Sequence, residues 1–522
     1  MAFWNRQQQM GWAALIMGAS ILISRFMGLI RDKTISYLFG AGKESDLYFA
    51  AFVIPDFINY LLAGAYFSIT LIPLLAAYFD QDEEEGWRFF SAVFTWVALI
   101  IILLTTIAMV AAPQLAHIAA PGLEEQALAR LAFFLRIILP AQICFLLGSC
   151  LSAILYLKKQ FTVPALTPLI YNLLIITGGI LLRHRGIVGF CWGVLAGAFI
   201  GNLLLPYIAA RQCERFKIHF RLYHPGLKKF VLLALPLMLG QSIVVLDEQL
   251  VRVFGSLAGV GAISWLSYAR RIMLVPVGVV AQAAGVASFP FLAELFAKKD
   301  YAQFYKTLNT ALRGVITLLI PLSLWMMIVA KPTITLIFQQ GHFGPADTRQ
   351  TALLLQILLP VVFCWGVQQV LGRGFYARQD TLTPAILGTL VLFVSIPLFH
   401  FMTQQFEAVG VAAASAASIA LYTSALTFWW RHRFGRATFA QLGTDSLKVI
   451  AISLVACAPA ALIANFPPPV WNGHPYVQAF YLIAASGFVF AAAFLFLATY
   501  FISSMIEPFI RRLGPLGCRL MK

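Results

Sequence analysis

The run Ser24-Arg25-Phe26-Met27-Gly28-Leu29-Ile30-Arg31-Asp32, continuing through Phe39-Gly40-Ala41-Gly42 to Asp46, decides how the chain is read. Arg25 lies inside an apolar run that begins near Gly11, between Ile21-Leu22-Ile23 and Phe26-Met27. An arginine at membrane depth costs about 2.5–3.5 kcal/mol on insertion scales, so it needs water, a partner or a ligand. Snorkelling to the interface or pairing with a carboxylate on another helix would meet that need. The apolar flanks favour a ligand. Arg31 follows six residues later, about 120° around a helix from Arg25, so both can face one wide cavity. For Arg31, the neighbouring Asp32 and Lys33 leave an ordinary ion pair at a helix end equally open.

Composition extends the same reading. Of 522 residues, 61% are hydrophobic and 11% charged, whereas a soluble domain carries about 25% charged residues. The chain reads as an all-α polytopic membrane protein. Apolar stretches long enough for a hydrocarbon core about 30 Å thick fall near 11–30, 47–78, 88–112, 128–157, 162–182, 187–209, 230–254, 259–295, 308–330, 350–375, 384–402, 408–429, 447–465 and 477–505. These are about 14 transmembrane helices. Pro55, Pro73, Pro140, Pro236, Pro276 and Pro290 split or bend several of them, as in transporters. The first run passes through Arg25 with no small-residue cleavage site, so it reads as a span and not a signal peptide. The seven cysteines show no metal spacing and mostly fall in apolar runs, which reads as buried thiols without a disulfide framework. No metal site is expected, and no cofactor.

The net charge of +16 raises nucleic-acid binding, but topology accounts for it. With both termini cytoplasmic, about 22 of the Lys and Arg residues lie on the inner side and about 8 on the outer, the positive-inside pattern. The basic segments could attract anionic lipid head groups of the surrounding membrane, but ordinary topology signals are the favoured reading, and nucleic acid is not an expected partner. The longest basic connection is 211–229, ending in Lys228-Lys229. It joins two halves that look alike. Leu157-Lys158-Lys159-Gln160-Phe161-Thr162-Val163-Pro164 and Tyr376-Ala377-Arg378-Gln379-Asp380-Thr381-Leu382-Thr383-Pro384 are both basic loops ending in a proline just inside the next helix. The second and eighth spans each carry two prolines, 18 residues apart in Pro55–Pro73 and 14 in Pro276–Pro290. The expected organisation is a six-helix bundle over 1–210, a basic cytoplasmic linker over 211–229, a second bundle over 230–430, helices 13 and 14 over 447–505, and a basic tail over 506–522.

Ser24-Arg25 with Gly28 and Arg31-Asp32, Phe39-Gly40-Ala41-Gly42, Asp46, Pro55, Phe67-Ser68 to Pro73, Ser264-Trp265 with Tyr268-Ala269 and Arg271, and Gly374 through Asp380 resemble the MurJ/MviN lipid II flippases in order and spacing from residue 11 to about 430. The resemblance implies the MATE-like fold of the multidrug/oligosaccharidyl-lipid/polysaccharide exporter superfamily, two six-helix bundles around a cationic cavity. It implies that helices 13 and 14 form a groove for a polyprenyl tail. The implied substrate is undecaprenyl-diphosphate bearing the peptidoglycan disaccharide-pentapeptide, carried to the outer leaflet of the bacterial inner membrane by a transporter that is not an enzyme. Ser24, Arg25, Arg31, Asp46 and Arg271 match the family's required positions. Cell-wall synthesis proteins are the implied partners. The chain departs from the pattern at Asn59, Tyr60 and Gly64, where the family has two arginines and a glutamate, and at Arg270, where it often has aspartate.

Independently of the resemblance, Arg25, Arg31, Arg270 and Arg271 all lie in or beside spans. Four uncompensated charges would cost roughly 10–14 kcal/mol in lipid. A wet cavity receiving a diphosphate removes most of that cost, and the guanidinium fork binds phosphate oxygens bidentately. Asp247 and Glu248 are adjacent acids in an apolar span, candidates for ion coupling or for charge pairing, with Arg270-Arg271 or with Arg252 four residues on. Coupling to the membrane potential, Na+ or H+ stays open. Gly28, Pro55 and Pro276 are candidate hinges, although each could simply permit close helix contact. Competing readings are a flippase for another polyprenyl-linked glycan and a cation-coupled drug exporter of the same superfamily. The exporter predicts an acidic cavity, and the candidates here are mostly basic. A membrane glycosyltransferase would want acidic motifs on outer loops, where only isolated acids such as Asp347 occur, and no phosphate-binding nucleotide loop is present.

Overall fold

A computed structural model describes residues 10–63, 66–213, 216–239, 243–465, 475–503 and 505. The expected tail over 506–522, together with Gly64 and Cys518, lies outside them. Among the described residues there are helices and connections but no strand. In chain order the helices are α1 (Met10–Phe39), α2 (Lys43–Ala50), α3 (Val53–Ala63), α4 (Tyr66–Gln81), α5 (Glu83–Val110), α6 (Ala112–Ala119), α7 (Glu125–Ile138), α8 (Ala141–Leu157), α9 (Thr162–Leu181), α10 (Val188–Gly197), α11 (Leu205–Arg211) and α12 (Gly226–Leu239). There follow α13 (Ile243–Ser256), α14 (Ala262–Pro276), α15 (Gln282–Ala297), α16 (Tyr301–Ile328), α17 (Ala330–Ile337), α18 (Pro345–Leu358), α19 (Val362–Ala377), α20 (Leu382–Phe434), α21 (Leu442–Asn465) and α22 (Pro475–Phe501).

Ten continuous helical stretches among the described residues are long and apolar enough to cross a membrane. The chain is therefore an all-α multi-pass membrane protein, but the expected number of spans is not reproduced as fourteen continuous helices. Helix α20 comprises two of the expected spans, 384–402 and 408–429, which meet at a sharp break at Glu407, where φ is +49°. A side chain at Gly410 would meet the Met402 carbonyl at 1.9 Å, so only glycine fits beside that break. The expected span 47–78 is divided among α2, α3 and α4, and 230–254 between α12 and α13.

The chain divides into two compact units, residues 1–241 with 252–264 and residues 242–251 with 265–522. Helix α13 thus begins in the second unit and ends in the first. In the first unit, Phe89, Phe90, Leu151 and Ile154 form a fully buried core. Helices α9 and α10 approach through glycine, since a Cβ on Gly178 would lie 2.7 Å from the Gly193 Cα. Small residues at such crossings let apolar helices gain van der Waals contact that lipid would otherwise supply. The basic linker also belongs here. Its extended residues are tied to α5, with the His219 and Arg221 amides donating to the Ser91 and Thr95 hydroxyls at 3.2 and 3.3 Å, and the Trp96 indole donating to the Leu222 carbonyl at 2.8 Å.

In the second unit, Trp430 is buried with its ring edge-on to Phe375 at 4.7 Å. Pro276 closes α14 and is followed by a wide π-helical turn, Val277–Ala281, before α15 resumes. A proline removes one helix hydrogen bond, and a π turn absorbs the resulting bend. Pro55 is placed differently. It stands in the first turn of α3, just after the break at Ala51-Phe52, where a helix has no use for its amide.

The loop similarity seen in the sequence has a structural counterpart. Helices α8 and α19 both end with a left-handed residue, Lys159 (φ +58°) and Gln379 (φ +60°). In both, the next amide reaches back five residues, Gln160 to Leu155 and Asp380 to Phe375. Each cap carries a cation over an aromatic ring, Lys158 over Phe79 and Arg378 over Phe434.

Candidate functional site

Serine and arginine on α1 are brought together by their spacing. Ser24 and Arg31 are seven residues apart, two turns, so they share a face. That face meets α9. The Ser20 hydroxyl donates to the Ala165 carbonyl, the Asn172 amide donates to the Ser24 hydroxyl at 3.3 Å, and the Arg31 guanidinium reaches the Asn172 carbonyl oxygen at 3.5 Å. Arg31 also donates to the buried carboxylate of Asp32, Nε at 3.0 Å and Nη2 at 2.9 Å. Asn172 was not among the sequence candidates. The signal available was an amide in an otherwise apolar helix, four residues after Pro168, whose carbonyl it also binds at 3.0 Å. Arg25 lies about 100° around α1 from Ser24, on an exposed side. A Cβ at Gly28 would meet nothing within 4 Å, so close helix contact does not account for that glycine.

Asp46, in α2, is buried and receives the first turn of α14. Its carboxylate accepts from the Gly261 amide at 2.5 Å, the Ser264 amide at 2.8 Å and the Ser264 hydroxyl at 2.6 Å. The arrangement is an anion at a helix N-terminus, where unpaired amides and the macrodipole favour negative charge. Gly261, at φ +90°, turns its amide into that position. Asp46 therefore holds protein, not open space.

Arg252 was expected to be available to Glu248. Its Nη1 lies 2.8 Å from the carboxylate of Asp56 on α3, an acid that was not among the sequence candidates.

In the second unit, Arg270 is buried and donates from Nη1 to Asp247 at 2.7 Å and to the Ser415 hydroxyl at 2.9 Å. Ser415 in turn donates to the same Asp247 oxygen at 2.9 Å. Three helices, α13, α14 and α20, are joined by this triad. Arg271 and Glu248, the neighbours of Arg270 and Asp247, are half-buried. Asp347, an isolated acid in the sequence, accepts from the Trp265 indole at 2.9 Å and from the Gly344 amide at 2.9 Å.

The second unit also contains an apolar groove of about 640 Å³ between α16 and α22, with Val280 of the π turn at its edge. Pro321 and Trp325 form one wall, Gly487, Phe490 and Phe494 the other. The Trp325 indole donates to the Ser486 hydroxyl at 3.3 Å, and Gly487 lets the ring lie against α22. Among the described residues no three His, Cys, Asp or Glu side chains gather as a metal site would need.

The family described as lipid II flippase MurJ matches residues 35–482. A curated relative from Vibrio cholerae serotype O1, a probable lipid II flippase MurJ, is 28% identical over 78% of this chain and 80% of its own length. Among solved structures, a lipid II flippase MurJ in an inward closed conformation superposes with a TM-score of 0.78 at 24% identity, over 94% of this chain and all of that one. An inward-facing MATE multidrug transporter of the MOP superfamily superposes with a TM-score of 0.67 at 14% identity, over 82% of this chain and 99% of that one. At those identities the structures speak for the fold alone.

Proposed function

Because the chain belongs to the lipid II flippase MurJ family, we propose that it carries lipid II from the cytoplasmic to the outer leaflet of the bacterial inner membrane by alternating access, with both termini cytoplasmic. The observation that carries this reading is the family match, which spans residues 35–482 and so runs through both units. Arg25 and Arg271 are the side chains assigned to the diphosphate. Arg31, gathered with Ser24 and Asn172, adds a polar face to α1. A guanidinium suits that task because its planar fork takes two phosphate oxygens at once.

Asp46 is assigned a different task from substrate binding. With three donors already on its carboxylate, it positions the start of α14 and so the approach to Arg271. Asp247 is read as the counter-charge of Arg270, which favours charge pairing over ion coupling at that carboxylate. The membrane potential, Na+ and H+ are the candidate drives. The groove beside α22 is apolar enough for an isoprenoid tail, and Gly28 and the bend after Pro276 are the flexing points. Membrane lipids surround the chain, and cell-wall synthesis proteins are its expected neighbours.

Native mass spectrometry of the full chain, purified from cells that make peptidoglycan, tests the substrate class. The expected result is an adduct with the mass of an undecaprenyl-diphosphate carrying the disaccharide-pentapeptide. An adduct with a different glycan would reassign the head group, and adducts of phospholipid alone would count against a polyprenyl diphosphate substrate.

A further inference from the structure

Two ion pairs of the first unit, Arg31–Asp32 and Arg252–Asp56, differ in one respect. Arg31 is held by Asp32, its neighbour in sequence, whose side chain is only 2% exposed. That carboxylate has nowhere to go. Arg252 is held by Asp56, which comes from a separate helix, stands one turn after the break at Ala51-Phe52 and has 30% of its side chain exposed, against 11% for Arg252. The cation is the buried partner and the anion is the open one.

We propose that Arg252 is a substrate-positioning residue and that Asp56 is a resident counter-anion, displaced when the diphosphate of the lipid substrate takes the Arg252 guanidinium. This inference rests on the flippase reading above and names a residue that the sequence motifs do not contain. Its physical basis is the cost of leaving a desolvated guanidinium unpaired. An empty carrier must keep Arg252 neutralised, and a loaded carrier must free it. A carboxylate on a neighbouring helix does both, because it and a phosphate oxygen are interchangeable acceptors for the same donors. Two phosphates bring more negative charge than one carboxylate, so the exchange favours the loaded state. Release of the substrate lets Asp56 return.

A purely structural ion pair behaves differently, and the difference is measurable with farnesyl diphosphate as a soluble probe and farnesol as its uncharged control, on the purified full-length protein. In the exchange, Asp56→Asn removes the competitor. The empty protein melts at a lower temperature, while the diphosphate binds at least five-fold tighter and raises the melting temperature more than in the wild type. The double variant Asp56→Asn/Arg252→Gln, which keeps the local charge balanced, binds the diphosphate at least ten-fold more weakly, with farnesol binding unchanged. Should Asp56→Asn alone fail to fold, the double variant decides. Diphosphate binding equal to wild type in the double variant, or no tightening in a folded Asp56→Asn, would overturn the exchange and leave the flippase reading standing. A wild-type protein that binds farnesyl diphosphate no better than farnesol would overturn both.

Discussion

Asp247→Asn is expected to be the most damaging single change to the folded protein. The substitution leaves the buried Arg270 guanidinium with the Ser415 hydroxyl in place of a carboxylate at 2.7 Å. Removing one member of a buried pair costs about 3–5 kcal/mol, because the other charge stays desolvated. The damage belongs to the stranded arginine and not to a lost function of the acid, so Asp247→Asn/Arg270→Met should regain most of the stability. Thermal unfolding of the purified single and double variants measures this. If the single variant melts with the wild type, or the double variant melts lower than the single, the triad is not what joins α13, α14 and α20.

Asp46→Asn is the second large effect. The carboxylate accepts from two backbone amides and a hydroxyl, and hydrogen bonds to a charged group contribute about 1.5–3 kcal/mol each. Asparagine can offer its carbonyl oxygen to one amide, but its own NH2 then faces the other, donor against donor. The start of α14 should loosen, with a fall in thermal stability and a loss of transport together. Asp46→Glu, one methylene longer, should recover part of both. Ser264→Ala should cost less, because it removes one donor and leaves both backbone bonds. Equal losses for Ser264→Ala and Asp46→Asn would mean that the hydroxyl, and not the helix start, is what Asp46 serves.

The sequence was readable wherever a local rule decides the outcome. The apolar runs follow from hydropathy, and the matching loops at 157–164 and 376–384 from their basic residues and the proline that opens the next helix. Asp247 and Arg270 were legible as a pair because two opposite charges in apolar spans have few other ways to be satisfied. What could not be read was the choice of partner between distant helices. The contact of the Arg252 guanidinium with Asp56 spans 196 residues of the chain, and no local rule points to it. Asn172 has no motif around it and gains its meaning only when α9 lies against α1. Continuity was the other blind spot. Hydropathy marks where a span can be, but the break at Ala51-Phe52 is set by turn geometry that apolar composition does not encode.

Movement of lipid II between leaflets by this chain is measured by following lipid II itself. In bacteria depleted of their own flippase and expressing this chain, intact cells are treated with an agent that cleaves only outward-facing lipid II, and the cleaved fraction is measured. The chain is expected to restore cleavage to the level of undepleted cells. Arg25→Ala and Arg271→Ala are each expected to abolish the restoration while the protein still inserts, with Arg→Lys recovering part of it because lysine lacks the bidentate fork. Cleavage that stays at the depleted level with the wild-type chain inserted in the membrane would contradict these expectations, as would full restoration by the Arg25→Ala/Arg271→Ala double variant.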